Sequence, residues 1–184
     1  MSVPLIVDLD GTLIAGDTLH LSLAALARQR PWVVPVLPIL VFSGRARFKE
    51  FVSDRVVLDP ASLPYRPDVL AFVRDQRGTH RPIVLATAAH HRVADAVAAH
   101  LRLFDSVIAT AGSHNAKGEG KLAAIRAALG AAEFDYVGDS MADVPVFRAA
   151  RRSYLVAPGA ALRKAVRIGC RVEAEFPASG TRSG

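Results

Sequence analysis

The sequence predicts an α/β protein: a doubly wound parallel sheet with a small helical cap inserted after its first strand. Three observations carry that prediction. Short apolar, β-branched runs at 5–8, 83–87, 106–110 and 136–139, with a fifth at 154–157, alternate with segments at 68–76, 91–101, 121–129 and 141–150. In those intervening segments apolar residues return at three and four positions, the spacing of a helix face. Strands alternating with helices imply right-handed crossovers and a parallel sheet covered on both faces. Residues 16–64 break this rhythm without a strand of their own, and so long an excursion inside a compact domain generally serves function.

Taken in order, the first strand leads into the segment LIVDLDGTL at 5–13. A helix is read at 17–28, with Asp17 as its N-cap. The run PWVVPVLPILVF at 31–42 follows, and then a second helix near 45–56. That apolar run is too short to span a bilayer, and its three prolines spoil it as a long helix. It reads as the core of the cap, with a membrane-surface contact or a pocket for a lipid-like substrate as sharper alternatives. The core is accordingly assigned to 1–15 and 65–170, the cap to 16–64 and a C-terminal tail to 171–184, with disorder expected over 178–184.

Composition sets the outer limits. A chain of 184 residues, 51% apolar and 22% charged, fits one globular domain of ordinary size. The lone Cys170 excludes an internal disulfide and any cysteine-rich metal site. No charged region precedes the first apolar run, which reads as a strand rather than a signal peptide, so a cytoplasmic location is expected. The net charge of +6 favours anionic partners. Its basic residues are scattered over 28–30, 45–49, 74–81 and 148–171 with little aromatic interleaving, which argues against nucleic acid.

In a doubly wound sheet, ligands bind beyond the carboxyl ends of the strands. Asp8, Asp10, Thr87 and Asp139 stand at such ends, so residues distant in sequence are expected to converge on one crevice. Asp8 and Asp10 are two apart and therefore face the same way if strand geometry persists, and Gly11 lets the chain turn just there. Two carboxylates held together repel unless a cation or a shared proton lies between them, so the pair suggests a metal or an acid/base couple. A surface aspartate turn is the plain alternative. The segment GDSMAD at 138–143 supplies a second acidic cluster. Asp139 suits a hard cation, or Asp139 or Ser140 simply caps a helix. Asp143 is placed to hold metal-bound water or a neighbouring lysine. Thr87 offers a hydroxyl and the amides of a following helix start, which suit a phosphate, or merely a cap. Lys117 would neutralise phosphate charge, with Lys121 as its competitor one turn later. His90 and His91 lack metal-type companions and read as structural, and Arg45, Arg47 and Lys49 read as a solvated helix face.

Carboxylate pair, threonine, lysine and second acidic cluster occur in that order from residue 5 to about 157. In this the chain resembles the haloacid dehalogenase-like superfamily of phosphatases, with motifs at Asp8-Leu-Asp-Gly-Thr12, Thr87, Lys117 and Gly138-Asp-Ser-Met-Ala-Asp143. The resemblance implies a magnesium-dependent phosphatase. Asp8 would be the nucleophile, forming an aspartyl-phosphate, and Asp10 the acid and base whose backbone carbonyl also binds the ion. Asp8 and Asp139 would be direct ligands with Asp143 in support, and Thr87 and Lys117 would bind phosphate, with Gly11 and Thr12 completing the first motif. A carboxylate at position 10 disfavours dehalogenation. The segments at 7–14, 44–49, 63–65 and 115–118 further resemble the phosphatase-like domain attached ahead of UbiA-type membrane prenyltransferases. That closer likeness implies a sugar or polyprenyl-linked phosphate as substrate and a peripheral contact at the inner membrane face. A phosphomutase and a non-catalytic regulatory module of the same fold are the alternatives.

Overall fold

The computed structural model describes residues 2–36, 48, 51, 52, 54–56, 58–110 and 118–178. Within them six parallel strands form one sheet: β1 (Leu5–Val7), β2 (Ile83–His90), β3 (Ser106–Thr110), β4 (Asp135–Gly138), β5 (Arg152–Val156) and β6 (Val172–Phe176), in the order β3-β2-β1-β4-β5-β6. Alternation of side chains along β1 explains both layers. Leu5 and Val7 point into one apolar cluster with Val69 and Val73 of α2 (Pro67–Gly78) and Ala94 and Val97 of α3 (His91–Leu101). Ile6 points into the opposite cluster, with Ile125 of α4 (Glu119–Leu129), Val146 and Phe147 of α5 (Val144–Ala149) and Leu162 and Val166 of α6 (Ala160–Val166). Both faces of the sheet are therefore dry, as a parallel sheet requires.

The strand order reverses at β1, whose neighbours are β2 on one side and β4 on the other. At such a switch point the connecting chains part and leave a crevice beyond the strand ends. Asp8 and Asp139, which directly follow β1 and β4, stand at its mouth.

The segment between β1 and α2 leaves and rejoins the sheet side by side. Ala15 N–H donates to Pro64 O at 2.8 Å, and Arg66 N–H donates to Leu13 O at 2.9 Å. Its first element is α1 (Thr18–Gln29), capped as expected by Asp17, whose carboxylate accepts from Leu19 N at 2.8 Å. A 3₁₀ turn over Pro31–Val36 follows, with Pro35 inside it. Phe48, Phe51, Val52, Asp54 and Arg55 are helical, in keeping with the helix read near 45–56. Leu26, Val52 and Val56 bury one another in a small cluster of their own, backed by Leu23, Phe48 and Phe51. Residues 37–42 of the apolar run, and Arg45, Arg47 and Lys49, lie outside the described residues. Among the described residues no helix is long and apolar enough to cross a membrane.

Three expectations are corrected. Residues 172–176, assigned to the tail, form β6, parallel to β5. This strand is the sheet's edge and all but Phe176 are exposed, so VEAEF needs little apolar character and gives a weak signal. β2 runs on to His90 instead of ending at Thr87, with a register shift against β3 between Ala86 and His90. The helix read at 141–150 is a 3₁₀ turn over Met141–Asp143 followed by α5, with Pro145 in the first turn of α5, where its missing N–H costs nothing.

Candidate active site

Asp8 is anchored at the strand end by its own N–H, which donates to Val137 O at 3.1 Å, and it is almost fully buried. A buried carboxylate needs a partner. Its partner is Lys121, in the first turn of α4, whose Nζ lies 3.0 Å from Asp8 Oδ1 and 3.0 Å from Asp143 Oδ2. The buried Tyr136 hydroxyl accepts from the same Nζ at 3.1 Å and donates to Asp143 Oδ2 at 2.8 Å. Gly118 makes the meeting possible. It takes φ +56° just ahead of α4, and a Cβ there would lie 2.8 Å from Ala142 O, so only glycine lets the start of α4 press against the turn that carries Asp143.

Asp139 is held from the other side. Thr12 Oγ1 donates to its Oδ1 at 3.2 Å, and its carboxylate rests against Gly11, whose φ is +75°. Asp10 turns its carboxylate to the start of α1, where Oδ1 accepts from Thr18 N at 2.7 Å. The loop between Asp8 and Thr12 is braced by Arg66, whose Nε donates to Gly11 O at 3.0 Å.

The charges are strongly coupled. Burial pushes the Asp8 carboxyl up to about 7; Lys121 pulls it back, and Asp143 and Asp139 add to the rise. Burial alone would lower Lys121, but Asp8 and Asp143 outweigh it and hold the ammonium above its ordinary range. Asp139 is raised by burial and by Asp143, with the Thr12 hydrogen bond opposing. Tyr136 is raised well above its usual value by burial and by the surrounding carboxylates, so its hydroxyl keeps its proton.

Thr87 is buried inside β2, with its hydroxyl accepting from Ala89 N at 3.0 Å. Val7 pairs with Leu85, so Thr87 stands two residues further along the strand next to β1. It does not cap α3; His90 does, through Nδ1 accepting from Arg92 N at 3.4 Å. The structure thus brings together Asp8, Asp139, Asp143, Gly11 and Thr12 with Lys121, the competitor to Lys117 in the sequence. Lys117 lies outside the described residues. Tyr136 and Arg66 escaped the sequence reading. Tyr136 shares a strand face with Gly138, two positions from the acidic cluster, which was the one available signal.

The donor set suits a hard divalent cation. Asp8 and Asp139 are carboxylates in need of positive charge, and Gly11 offers no side chain to keep an ion or a phosphate from the backbone. Among the described residues no three His, Cys, Asp or Glu side chains are grouped to hold a metal. Two carboxylates and a backbone carbonyl, completed by water and substrate oxygens, are the pattern magnesium accepts.

Fold and site together define a hydrolase of the α/β class with an aspartate at the switch point of its sheet. A family model described as haloacid dehalogenase-like hydrolase matches residues 5–148, and the chain belongs to that family. It is 36% identical over 158 residues to the uncharacterized protein y4nM of Sinorhizobium fredii; the match covers 85% of this chain and 30% of that relative, so the chain spans about a third of its length. A solved protein of unknown function from Bordetella pertussis Tohama I superposes with a TM-score of 0.71 at 21% identity, covering 94% of this chain and 98% of that one. A phospho-aspartyl intermediate analogue of phosphoserine phosphatase superposes with a TM-score of 0.60 at 14% identity, covering 95% and 93%. The shared fold with these phosphatases is the six-stranded parallel core.

Proposed function

We propose that the protein hydrolyses a phosphate monoester through an aspartyl-phosphate on Asp8. The observation that carries this reading is the buried Asp8 carboxylate, paired at 3.0 Å with Lys121 beside a second carboxylate, Asp139, seated on the same loop. The phospho-aspartyl analogue solved for phosphoserine phosphatase, on the same fold, supports it. An Asp8 oxygen attacks phosphorus in line; the O–P bond to Asp8 forms as the P–O bond to the leaving group breaks, and protonated Asp10 gives its proton to the departing alkoxide. Water then attacks phosphorus, Asp10 takes its proton, and the Asp8 O–P bond breaks to release inorganic phosphate. Lys121 favours the ionised nucleophile against the opposing effect of its burial and holds positive charge where phosphoryl charge arrives. Thr87 is assigned to the phosphoryl oxygens, as Lys117 was on sequence grounds. Magnesium would be held by Asp8, Asp139 and the Asp10 carbonyl, with Asp143 in support, and would neutralise phosphate charge there.

The segment 16–64 serves in this reading as a cap, since it joins the core through the Leu13–Arg66 and Ala15–Pro64 pairings beside the catalytic loop. Its first helix positions Asp10 through Thr18 N, so it also prepares the acid. The leaving group is proposed to be a sugar or polyprenyl-linked alcohol, met at the cytoplasmic membrane face. Support comes from Trp32, 71% exposed at the head of the apolar run.

The test is phosphate release from an aryl phosphate with magnesium, extended over a panel of sugar and isoprenoid phosphates. Asp8→Asn is expected to lower turnover more than ~10⁴-fold with unfolding unchanged. Undiminished activity in that variant removes the mechanism, and preference for a short hydrophilic ester removes the polyprenyl substrate.

A further inference from the structure

Gly138 is a glycine without a backbone reason to be one, because its φ is not in the left-handed region. The reason lies two residues back. On a strand, residues 136 and 138 share a face, and a Cβ on residue 138 would lie 2.6 Å from Tyr136 Cε1 and 3.1 Å from the Tyr136 hydroxyl oxygen. The phenol therefore leans along β4 over Gly138, toward the carboxyl edge of the sheet. Phe147 backs the ring edge-on at 5.0 Å between centroids, and the side chain is fully buried.

At the end of that reach the hydroxyl closes a triangle. It donates to Asp143 Oδ2 at 2.8 Å and accepts from Lys121 Nζ at 3.1 Å, while Nζ meets Asp143 Oδ2 at 3.0 Å. A lysine ammonium has three N–H donors. Asp8, Asp143 and Tyr136 provide three acceptors, so the ammonium is fully occupied and fixed in direction. Deleting the hydroxyl leaves one donor without its partner and lets the flexible lysine chain re-aim.

We propose that Tyr136 is a positioning residue for Lys121, holding the ammonium on the nucleophile, and that Gly138 is the notch that admits the phenol. The proposal rests on the phosphatase reading given above. Its effect falls on turnover more than on substrate capture, because the ammonium works at the Asp8 oxygen and not at the leaving group.

The test compares the parent, Tyr136→Phe, Lys121→Met and the double variant. Aryl phosphate turnover is measured with magnesium, vanadate binding by calorimetry, and stability by urea unfolding. Tyr136→Phe keeps the ring and is expected to fold, to lower kcat about 10-fold with KM changed less than about twofold, and to weaken vanadate about 10-fold. In the Lys121→Met background, adding Tyr136→Phe is expected to change vanadate affinity less than about twofold, since its target is gone. A Tyr136→Phe enzyme with the parent's kcat and vanadate affinity overturns the proposal, as does a 10-fold effect that persists without Lys121. An inactive parent that binds no vanadate overturns the phosphatase reading, and this inference with it.

Discussion

Replacing Gly11 by alanine tests the packing that the whole site depends on. Gly11 has φ +75°, and a Cβ there would lie 2.0 Å from Asp139 Oδ2 and 2.5 Å from its Cγ. Ordinary contact begins near 3.5 Å, so the carboxylate would have to retreat by about 1.5 Å, or the loop carrying Asp8 and Asp10 would have to move instead. Either shift breaks the 3.2 Å hydrogen bond from Thr12 to Asp139. The left-handed backbone costs alanine roughly 1–2 kcal/mol and the lost hydrogen bond about 1 kcal/mol, so Gly11→Ala is expected to lose about 2–3 kcal/mol of stability. The functional loss is expected to be larger. Misplacing a reacting group by about 1 Å costs on the order of 10²-fold in rate, and disturbing a metal ligand's support raises the half-saturating metal concentration about 10- to 100-fold. Aryl phosphate release titrated with magnesium, beside urea unfolding, reads both effects. A Gly11→Ala enzyme with unchanged magnesium half-saturation and kcat within about twofold of the parent would refute the close seating of Asp139 on this loop.

Three further substitutions separate site from scaffold. Lys121→Met is expected to lower kcat by about 10²- to 10³-fold while Lys117→Met stays within about threefold of the parent; the reverse order in steady-state kinetics would return the phosphate lysine to position 117. Asp135, buried at the start of β4, accepts from Arg81 Nη2 and, at 3.0 Å each, from Arg151 Nε and Nη2. Asp135→Asn is expected to cost about 3 kcal/mol at pH 7 by urea unfolding, because it strands a largely buried Arg81. Burial would raise the Asp135 carboxyl, but the two guanidiniums prevail and depress it. Its stabilisation is therefore complete above the unfolded value near pH ~4 and fades as pH falls toward the lower folded value, so the gap between variant and parent should narrow below about pH 4. A gap that is constant down to pH ~3 would contradict that assignment.

The sheet was legible because its inner strands are apolar on both faces. Leu5, Ile6 and Val7 feed two separate clusters, so every residue of β1 is apolar. β6 was illegible for the converse reason. At the edge only Phe176 packs inward, against Phe72, while Glu173 and Glu175 pair with Arg171 and Arg163. Ion pairs of this exposed kind look in sequence like a solvated tail. The extension of β2 past Thr87 was hidden too, because Ala88 and Ala89 suit a strand end and a helix start equally well.

Asp8 and Asp139 were legible because each follows directly on a strand, where position in the sheet alone decides direction. The lysine was not, because its place depends on a helix start. Lys117 and Lys121 are four residues apart in sequence, and the place of Lys121 is set by the start of α4, just ahead of which Gly118 takes φ +56° where an added Cβ would lie 2.8 Å from Ala142 O. The same logic hid Tyr136. A tyrosine inside a strand reads as core, and core is what its ring is, packed on Phe147. Its hydroxyl reaches the ammonium only because the next residue on that face has no side chain. Gly118 and Gly138 thus do for the charged centre what the apolar pattern does for the sheet: each removes a methylene-sized obstacle between a polar atom and its partner. Glycines beside a motif, as much as the charged residues within it, specify where buried charges meet.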